Sequence, residues 1–383
     1  MTLDWMLECS YCDRTTAPAG LNDVCPDCGQ PWLVRYERRW PSSVRSMIAA
    51  RTWSMWRYRE MMPLASGESP VSLGEGGTPL LRVDRLAAAV GMDEILVKDE
   101  SVNPTGSFKA RGLSAAVTRA AAAGAGALTV PTAGNAGVAL SAYGQRAGIA
   151  VDVFAPETTP PRLIEQMRVF GAEVHLLGGH IGDCGRAARA HAERVGAFDV
   201  STLREPYRIE GKKTLGLEVA EQLGWELPDV CIYPTGGGTG LIGMWIAFRG
   251  LLESGWVRGR IPRLYSVQSS GCAPVVAAFE SGADAIEPWP DPWTLASGLR
   301  VPAPLGGRLI LRALRETGGA AIAVTDAELG AGERAIARTE GIDAAPEGGA
   351  ALAALESLVR RGDIRRDERV VLFNTGAGWL YRP

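Results

Sequence analysis

Four short stretches hold residues whose types and spacing could do chemistry on one small molecule. "NPTGSFK" (103–109) offers a single lysine, Lys109, where a tight loop meets an alanine-rich run. "PTAGNAG" (131–137), "PTGGGTG" (234–240) and "NTGAG" (374–378) each follow an apolar stretch directly. A lone lysine is usually a solvated surface charge. Here Phe108 precedes it and "LSAAV" follows closely. In such an apolar setting an amine loses its proton more readily and can act as a nucleophile.

"PTGGGTG" puts Gly236, Gly237, Gly238 and Gly240 between a strand pattern and a helix pattern, with the Thr239 hydroxyl among them. Bare amides at a helix N-terminus make an anion site, strengthened by the helix dipole. No GKS or GKT follows, which excludes a nucleoside-triphosphate loop, and the GxGxxG spacing of a dinucleotide fold is missed as well. A small phosphate monoester fits the loop. In "PTAGNAG" the amides of Ala133, Gly134 and Asn135 suit a carboxylate, and the Asn135 side-chain amide can donate to a phenolate oxygen. Taken alone, that stretch reads equally as an N-cap turn.

A second constellation lies near the N-terminus. Cys9-x2-Cys12 and Cys25-x2-Cys28 are two knuckles that can turn four thiolates onto one metal. The spacing predicts a closed, structural zinc ribbon rather than a catalytic zinc site. The other three of the seven cysteines, Cys184, Cys231 and Cys272, are scattered and read as small buried hydrophobes.

These loops need a scaffold to position them. The chain has 383 residues, enough for two or three domains. Its composition is 46% hydrophobic and 22% charged, ordinary for a globular protein. A net charge of −3 gives no electrostatic footprint for nucleic acid or an anionic membrane, so neither is an expected partner. No apolar run approaches the roughly 20 residues that span a bilayer. "MTLDWMLECS" lacks the basic and apolar regions of a secretory leader, and a cytoplasmic location is expected. From about residue 127, "ALTVPT", "VDVFAP", "EVHLLG" and "FDVST" alternate with helical patterns, and "VCIYPT", "RLYSVQ", "AIAVTD" and "RVVLFN" continue the series. Strands separated by helices predict an α/β fold with parallel-rich sheets, whose ligands bind at the carboxyl ends of the strands. "RTWSMWRYREMMPLASGE" (51–68) reads as an arm packed on the main body.

Lysine, phosphate cradle, amide donor and a terminal hydroxyl at Thr375 together match one cofactor, pyridoxal phosphate, through its aldehyde, phosphate, phenolic oxygen and ring nitrogen. A neutral hydroxyl at the ring nitrogen leaves it unprotonated, a milder electron sink that suits elimination chemistry. From about residue 70 onward the chain resembles the pyridoxal-phosphate enzymes of the tryptophan-synthase-β fold (fold type II) and, within them, the threonine synthases. The motifs that carry the resemblance are "NPTGSFK", "AGN" (133–135), "GGGTG", "PEGGAALAALESL" and "VVLFNTGAG".

The resemblance implies two domains, a larger one of 41–110 and 206–383 and a smaller substrate domain of 111–205, after a zinc ribbon in 1–40. It implies Lys109 as the Schiff-base lysine and Asn135, Gly236, Gly237, Gly238, Thr239, Gly240 and Thr375 as cofactor contacts. Ser107, Thr132, Ala133, Gly134 and Arg208 are implied for an amino-acid substrate, with Arg162, Lys212 and Lys213 as further candidates for its phosphate. The implied activity is formation of threonine and phosphate from O-phosphohomoserine and water, in a homodimer. The alternative is a threonine or serine dehydratase, or a β-replacement enzyme similar to cysteate synthase. "FKARG" has Ala110 where threonine synthases commonly have aspartate, and Arg204 and Glu205 stand where an asparagine is usual. A non-catalytic zinc-ribbon protein is disfavoured by the intact Lys109 and glycine loop.

Overall fold

Apolar runs bounded by glycine or proline form strands, and the alanine- and leucine-rich stretches between them form helices. The computed structural model describes residues 4–382. In chain order it begins with β1 (Trp5–Cys9), β2 (Thr15–Thr16), β3 (Trp32–Tyr36), α1 (Ser42–Ala49), β4 (Leu80–Arg82), α2 (Asp84–Val90) and β5 (Ile95–Asp99). Next come α3 (Lys109–Ala122), β6 (Ala127–Pro131), α4 (Asn135–Ala147), β7 (Ala150–Pro156), α5 (Pro161–Val169), β8 (Glu173–Leu177), α6 (Ile181–Val195) and β9 (Phe198–Asp199). The rest is α7 (Tyr207–Gln222), β10 (Val230–Pro234), α8 (Thr239–Glu253), β11 (Arg263–Ser269), α9 (Pro274–Glu280), α10 (Gly307–Thr317), β12 (Ala320–Val324), α11 (Asp326–Glu340), α12 (Pro346–Arg361) and β13 (Val370–Asn374).

Two compact units result. Unit 1 contains residues 1–76 and 109–214, and unit 2 contains 77–108 and 215–383. These bounds differ from the expected 111–205 division, and packing explains the difference. Met55, Trp56, Met62 and Leu64 of the arm bury against Ala115 of α3, and Tyr207 of α7 buries in the ribbon.

In unit 1, β6, β7, β8 and β9 form a parallel sheet in the order β8-β7-β6-β9. A separate antiparallel sheet, β2-β1-β3, carries the ribbon, with Leu7 opposite Val34 in register. In unit 2 the order is β12-β11-β10-β13-β5-β4; only β4 runs antiparallel to its neighbour. Strands β5, β10 and β13 are buried along their whole length, which is why they read as unbroken apolar runs rather than alternating ones. Their side chains Ile95, Val97, Val230, Ile232, Val370 and Leu372 join one core with α12. α11 and α12 meet through glycine: a Cβ on Gly349 would stand 2.2 Å from the Leu329 carbonyl. Cys184, Cys231 and Cys272 are all buried, as expected.

Candidate active site

In unit 2 the glycine loop joins β10 to α8. Gly238 caps α8 in the left-handed region, φ 76°, and a Cβ there would stand 2.4 Å from Ile310. A Cβ on Gly236 would lie 2.2 Å from the Gly298 carbonyl, and one on Gly240 only 2.0 Å from the Tyr233 hydroxyl. The packing around the loop therefore excludes any side chain at these positions. Among the described residues, no acceptor takes the amides of Gly236, Gly237, Gly238, Thr239 or Gly240. Apart from the half-buried Gly237 these residues are buried, and they surround the positive end of a fifteen-residue helix. Unsatisfied buried donors at such a place call for an anion. The loop fits a phosphate group.

The lysine loop of unit 2 is pinned to the C-terminal loop. Phe108 N donates to the Thr375 carbonyl at 3.0 Å, and Ala377 N donates to the Gly106 carbonyl at 2.9 Å. Ser107 and Gly376 face each other across this short antiparallel bridge. Gly106 must be glycine, since its φ is 69° and a Cβ would press on Leu380 and Trp379. Thr375 itself is held from behind by Asn374, which donates to Asp99 at 2.8 Å and accepts from Ala345 N at 3.1 Å. The Thr105 and Ser107 hydroxyls are buried and have no partner among the described residues. Phe108 packs edge-on to Tyr233, the residue beneath Gly240, and Tyr233 leans on Phe373. One aromatic row thus links the lysine loop, the glycine loop and the strand before Thr375.

In unit 1, Lys109 is the first residue of α3 and is half-buried; the following Ala110 and Arg111 are buried. Asn135 opens α4 after a sharp turn at Gly134, φ 154°, where a Cβ would strike Leu163 at 2.7 Å. Of the three amides expected to face a carboxylate, that of Gly134 is taken by the Thr132 hydroxyl at 3.1 Å. Thr132 therefore shapes the turn, and Ala133 and Asn135 are left as donors.

The candidate phosphate ligands separate. Arg162 is exposed on α5, whereas Arg208, Lys212 and Lys213 are all buried on α7 rather than solvated. Arg208 donates from Nη1 to the Val200 carbonyl at 2.8 Å, and its Nε has no partner among the described residues. Lys213 pairs with Glu210 and so is committed to its own helix. Sequence reasoning gave Glu205 no role. Its carboxylate accepts from Tyr207 N at 2.7 Å and Arg208 N at 3.1 Å, capping α7. Burial pushes the Glu205 carboxyl up to about 7, against the opposing pull of Arg208.

The four cysteines of unit 1 converge as expected. Cys9 and Cys28 sulfurs are 3.3 Å apart, Cys12 and Cys25 are 3.7 Å apart, and all four lie within 4.8 Å of one another. A tetrahedral centre with zinc–sulfur bonds of about 2.3 Å spaces its sulfurs by roughly 3.8 Å, so the set fits a four-thiolate metal. Burial of Cys25 raises its thiol, but the amides of Asp27 and Cys28 and the neighbouring sulfurs outweigh it and bring it down to about 7.

Residues 71–376 match the family model described as pyridoxal-phosphate dependent enzyme. Threonine synthase of Methanosarcina acetivorans is 37% identical over 97% of this chain and 91% of its own. That of Methanocaldococcus jannaschii is 35% identical over 97% and 92%. Among solved structures, maize serine racemase aligns with a TM-score of 0.69 at 22% identity, covering 79% of this chain and 88% of its own. That likeness concerns the fold. A bacterial-strain threonine deaminase, from T.th., aligns with a TM-score of 0.66 at 26% identity over 78% and 92%.

Proposed function

The chain belongs to the pyridoxal-phosphate dependent enzymes and, among them, to the threonine synthases; from that premise we propose that it converts O-phosphohomoserine and water to threonine and phosphate. The observation that carries the cofactor reading is the set of unsatisfied amides at Gly236–Gly240, on the same unit as the pinned loop that leads into Lys109. The substrate reading is supported by relatives at 37% and 35% identity over nearly the whole chain.

Lys109 would hold the cofactor through its Nζ, with the glycine-loop amides and Thr239 on its phosphate, Asn135 on its phenolic oxygen and Thr375 at its ring nitrogen. Bound there, pyridoxal phosphate supplies an electron sink for negative charge developed beside the substrate amine. Displaced by that amine, the Lys109 Nζ removes the proton from Cα and carries protons along the substrate's carbon chain. Ala133 and Asn135 amides orient the substrate carboxylate, with Thr132 fixing the turn that presents them. Arg208 offers a buried positive charge to the leaving phosphate, and Ser107 a buried hydroxyl on the substrate side. The Cγ–oxygen bond breaks, and water supplies the new hydroxyl at Cβ. A neutral Thr375 hydroxyl leaves the ring nitrogen without a proton and so favours elimination over other fates.

The four cysteines would hold one structural zinc, because a closed thiolate set leaves no position for substrate. A cytoplasmic homodimer completes the reading; it rests on the family resemblance. The deciding assay supplies pyridoxal phosphate to the enzyme and compares O-phosphohomoserine with threonine, serine and phosphoserine. Equal yields of phosphate and threonine from the first substrate are expected. Keto acid and ammonia from threonine or serine, with O-phosphohomoserine inert, would instead make the chain a dehydratase, to which Ala110 points.

A further inference from the structure

The ribbon does not close its core with its own residues. Leu7, Cys9, Cys25, Trp32 and Val34 form a buried cluster completed by Tyr207, the first residue of α7. The Tyr207 hydroxyl donates to Asn22 Oδ1 at 3.2 Å, in the loop between the two cysteine pairs. Just before α7, Arg204 donates to Asp23 of that same loop at 2.6 Å. At the end of β3, the Tyr36 hydroxyl lies 2.5 Å from Glu210 Oε2 and 2.8 Å from the Met61 carbonyl. The Lys213 ammonium sits 4.5 Å above the Tyr36 ring and bonds Glu210. Burial drives the Lys213 amine down and the Tyr36 phenol up, so both groups depend on this contact for their place.

Tyr207, Glu210 and Lys213 recur every third residue and make one face of α7, which the ribbon covers. Arg208, Gly211 and Lys212 make another, set against α3. A Cβ on Gly211 would stand 2.1 Å from the Arg111 carbonyl, and one on Gly112 would stand 3.0 Å from both the Arg208 carbonyl and Lys212 Cε. Backbone meets backbone at this crossing, two residues after Lys109. No flexible side chain lies there to absorb a shift of α7.

We propose that the metal-loaded ribbon positions the substrate-phosphate side of the site, by clamping the first turn of α7 through Tyr207 and Tyr36 and so fixing Arg208 against the Lys109 turn. The metal locks the loop that carries Asn22 and Asp23, because both cysteine knuckles flank it. Tyr36 and Tyr207 are positioning residues. The inference rests on the reading of Arg208 as a phosphate ligand given above.

The test uses the full-length, pyridoxal-phosphate-loaded enzyme. Tyr36→Phe removes one oxygen and keeps the ring, and Tyr207→Leu opens the ribbon core. Arg35→Ala, which breaks only the half-exposed pair of Arg35 with Glu8 on the ribbon's own sheet, is the control. Zinc per chain, cofactor absorbance, the dissociation constant of inorganic phosphate by calorimetry, and KM and kcat are measured for each. For Tyr36→Phe we expect zinc and absorbance to be retained. Phosphate Kd and KM should rise by about three- to tenfold, the scale of one charge-assisted hydrogen bond. Its kcat should change by less than about twofold, and Arg35→Ala should match wild type. Phosphate affinity and KM unchanged in a zinc-loaded Tyr36→Phe enzyme overturn the proposal, as does a fall in kcat alone. If Tyr207→Leu fails to fold, the Phe variant still decides. If wild type ignores O-phosphohomoserine, the substrate reading fails, while the phosphate-binding arm still judges the clamp.

Discussion

The amide of Phe108 donates to the carbonyl of Thr375 at 3.0 Å, which ties the residue before Lys109 to the strand end that carries the Thr375 hydroxyl. Two loops some 270 positions apart in the chain are thereby held in register within one unit. The Ser107–Gly376 bridge and the Ala377–Gly106 hydrogen bond extend the contact on either side.

That arrangement makes Thr375 a sharp test. Thr375→Ser keeps the hydroxyl and should retain most of the activity. Thr375→Asp places a carboxylate where a neutral partner is needed, so the ring nitrogen of the bound cofactor gains a proton. The Asp variant should then turn over at least about tenfold more slowly, with altered visible absorbance in the presence of its amino-acid substrate. An Asp variant with the spectrum and rate of wild type would remove Thr375 from the site.

Gly240 tests the phosphate cradle. An added methyl would stand 2.0 Å from the Tyr233 hydroxyl, and Tyr233 is already packed between Phe108 and Phe373. The ring cannot retreat without disturbing the lysine loop. Gly240→Ala should therefore weaken pyridoxal-phosphate binding by on the order of tenfold or more, read by titrating cofactor into stripped enzyme. Unchanged affinity would mean that the amides of this loop do not hold the phosphate.

Glu205 gives a pH dependence whose sign is set by its environment. Its carboxyl is pushed up to about 7 in the folded chain, above its unfolded value, so the folded state keeps a proton that the unfolded state has already lost. The term favours folding at low pH and is lost progressively as pH rises through the window that ends near 7. Glu205→Gln should remove that component. Chemical denaturation at several values between about pH 5 and 7 should give the variant a flatter or more rising stability profile than wild type. Parallel profiles for the two proteins would show that Glu205 is not the buried, protonating group described here.

How much of this was written in the sequence depends on the kind of constraint. The glycine loop was legible because its residue types are forced by close backbone approach; Gly236, Gly238 and Gly240 each meet an atom where a Cβ would go. The parallel strands were legible because burial on both faces leaves long apolar runs, and the cysteine spacing reflects the local geometry of metal knuckles. Lys212 and Lys213 were not legible as buried groups, since a lysine pair on a helix reads as solvent-facing until its neighbours are known. The Tyr36–Glu210 contact joins residues 174 positions apart, and no local pattern records it. Glu205 stood out only as a departure from a familiar motif, and its capping of α7 emerged from the fold.

Where the water oxygen goes tests the central claim most directly. The loaded enzyme is given O-phosphohomoserine in water enriched in heavy oxygen, with Lys109→Ala as a parallel sample, and both products are weighed by mass spectrometry. Cleavage of the Cγ–oxygen bond followed by addition of water at Cβ predicts heavy oxygen in the threonine hydroxyl, none in the released phosphate, and no product from Lys109→Ala. Heavy oxygen in the phosphate, with homoserine as the other product and the Lys109→Ala variant still active, would mean simple hydrolysis at phosphorus and would contradict the account.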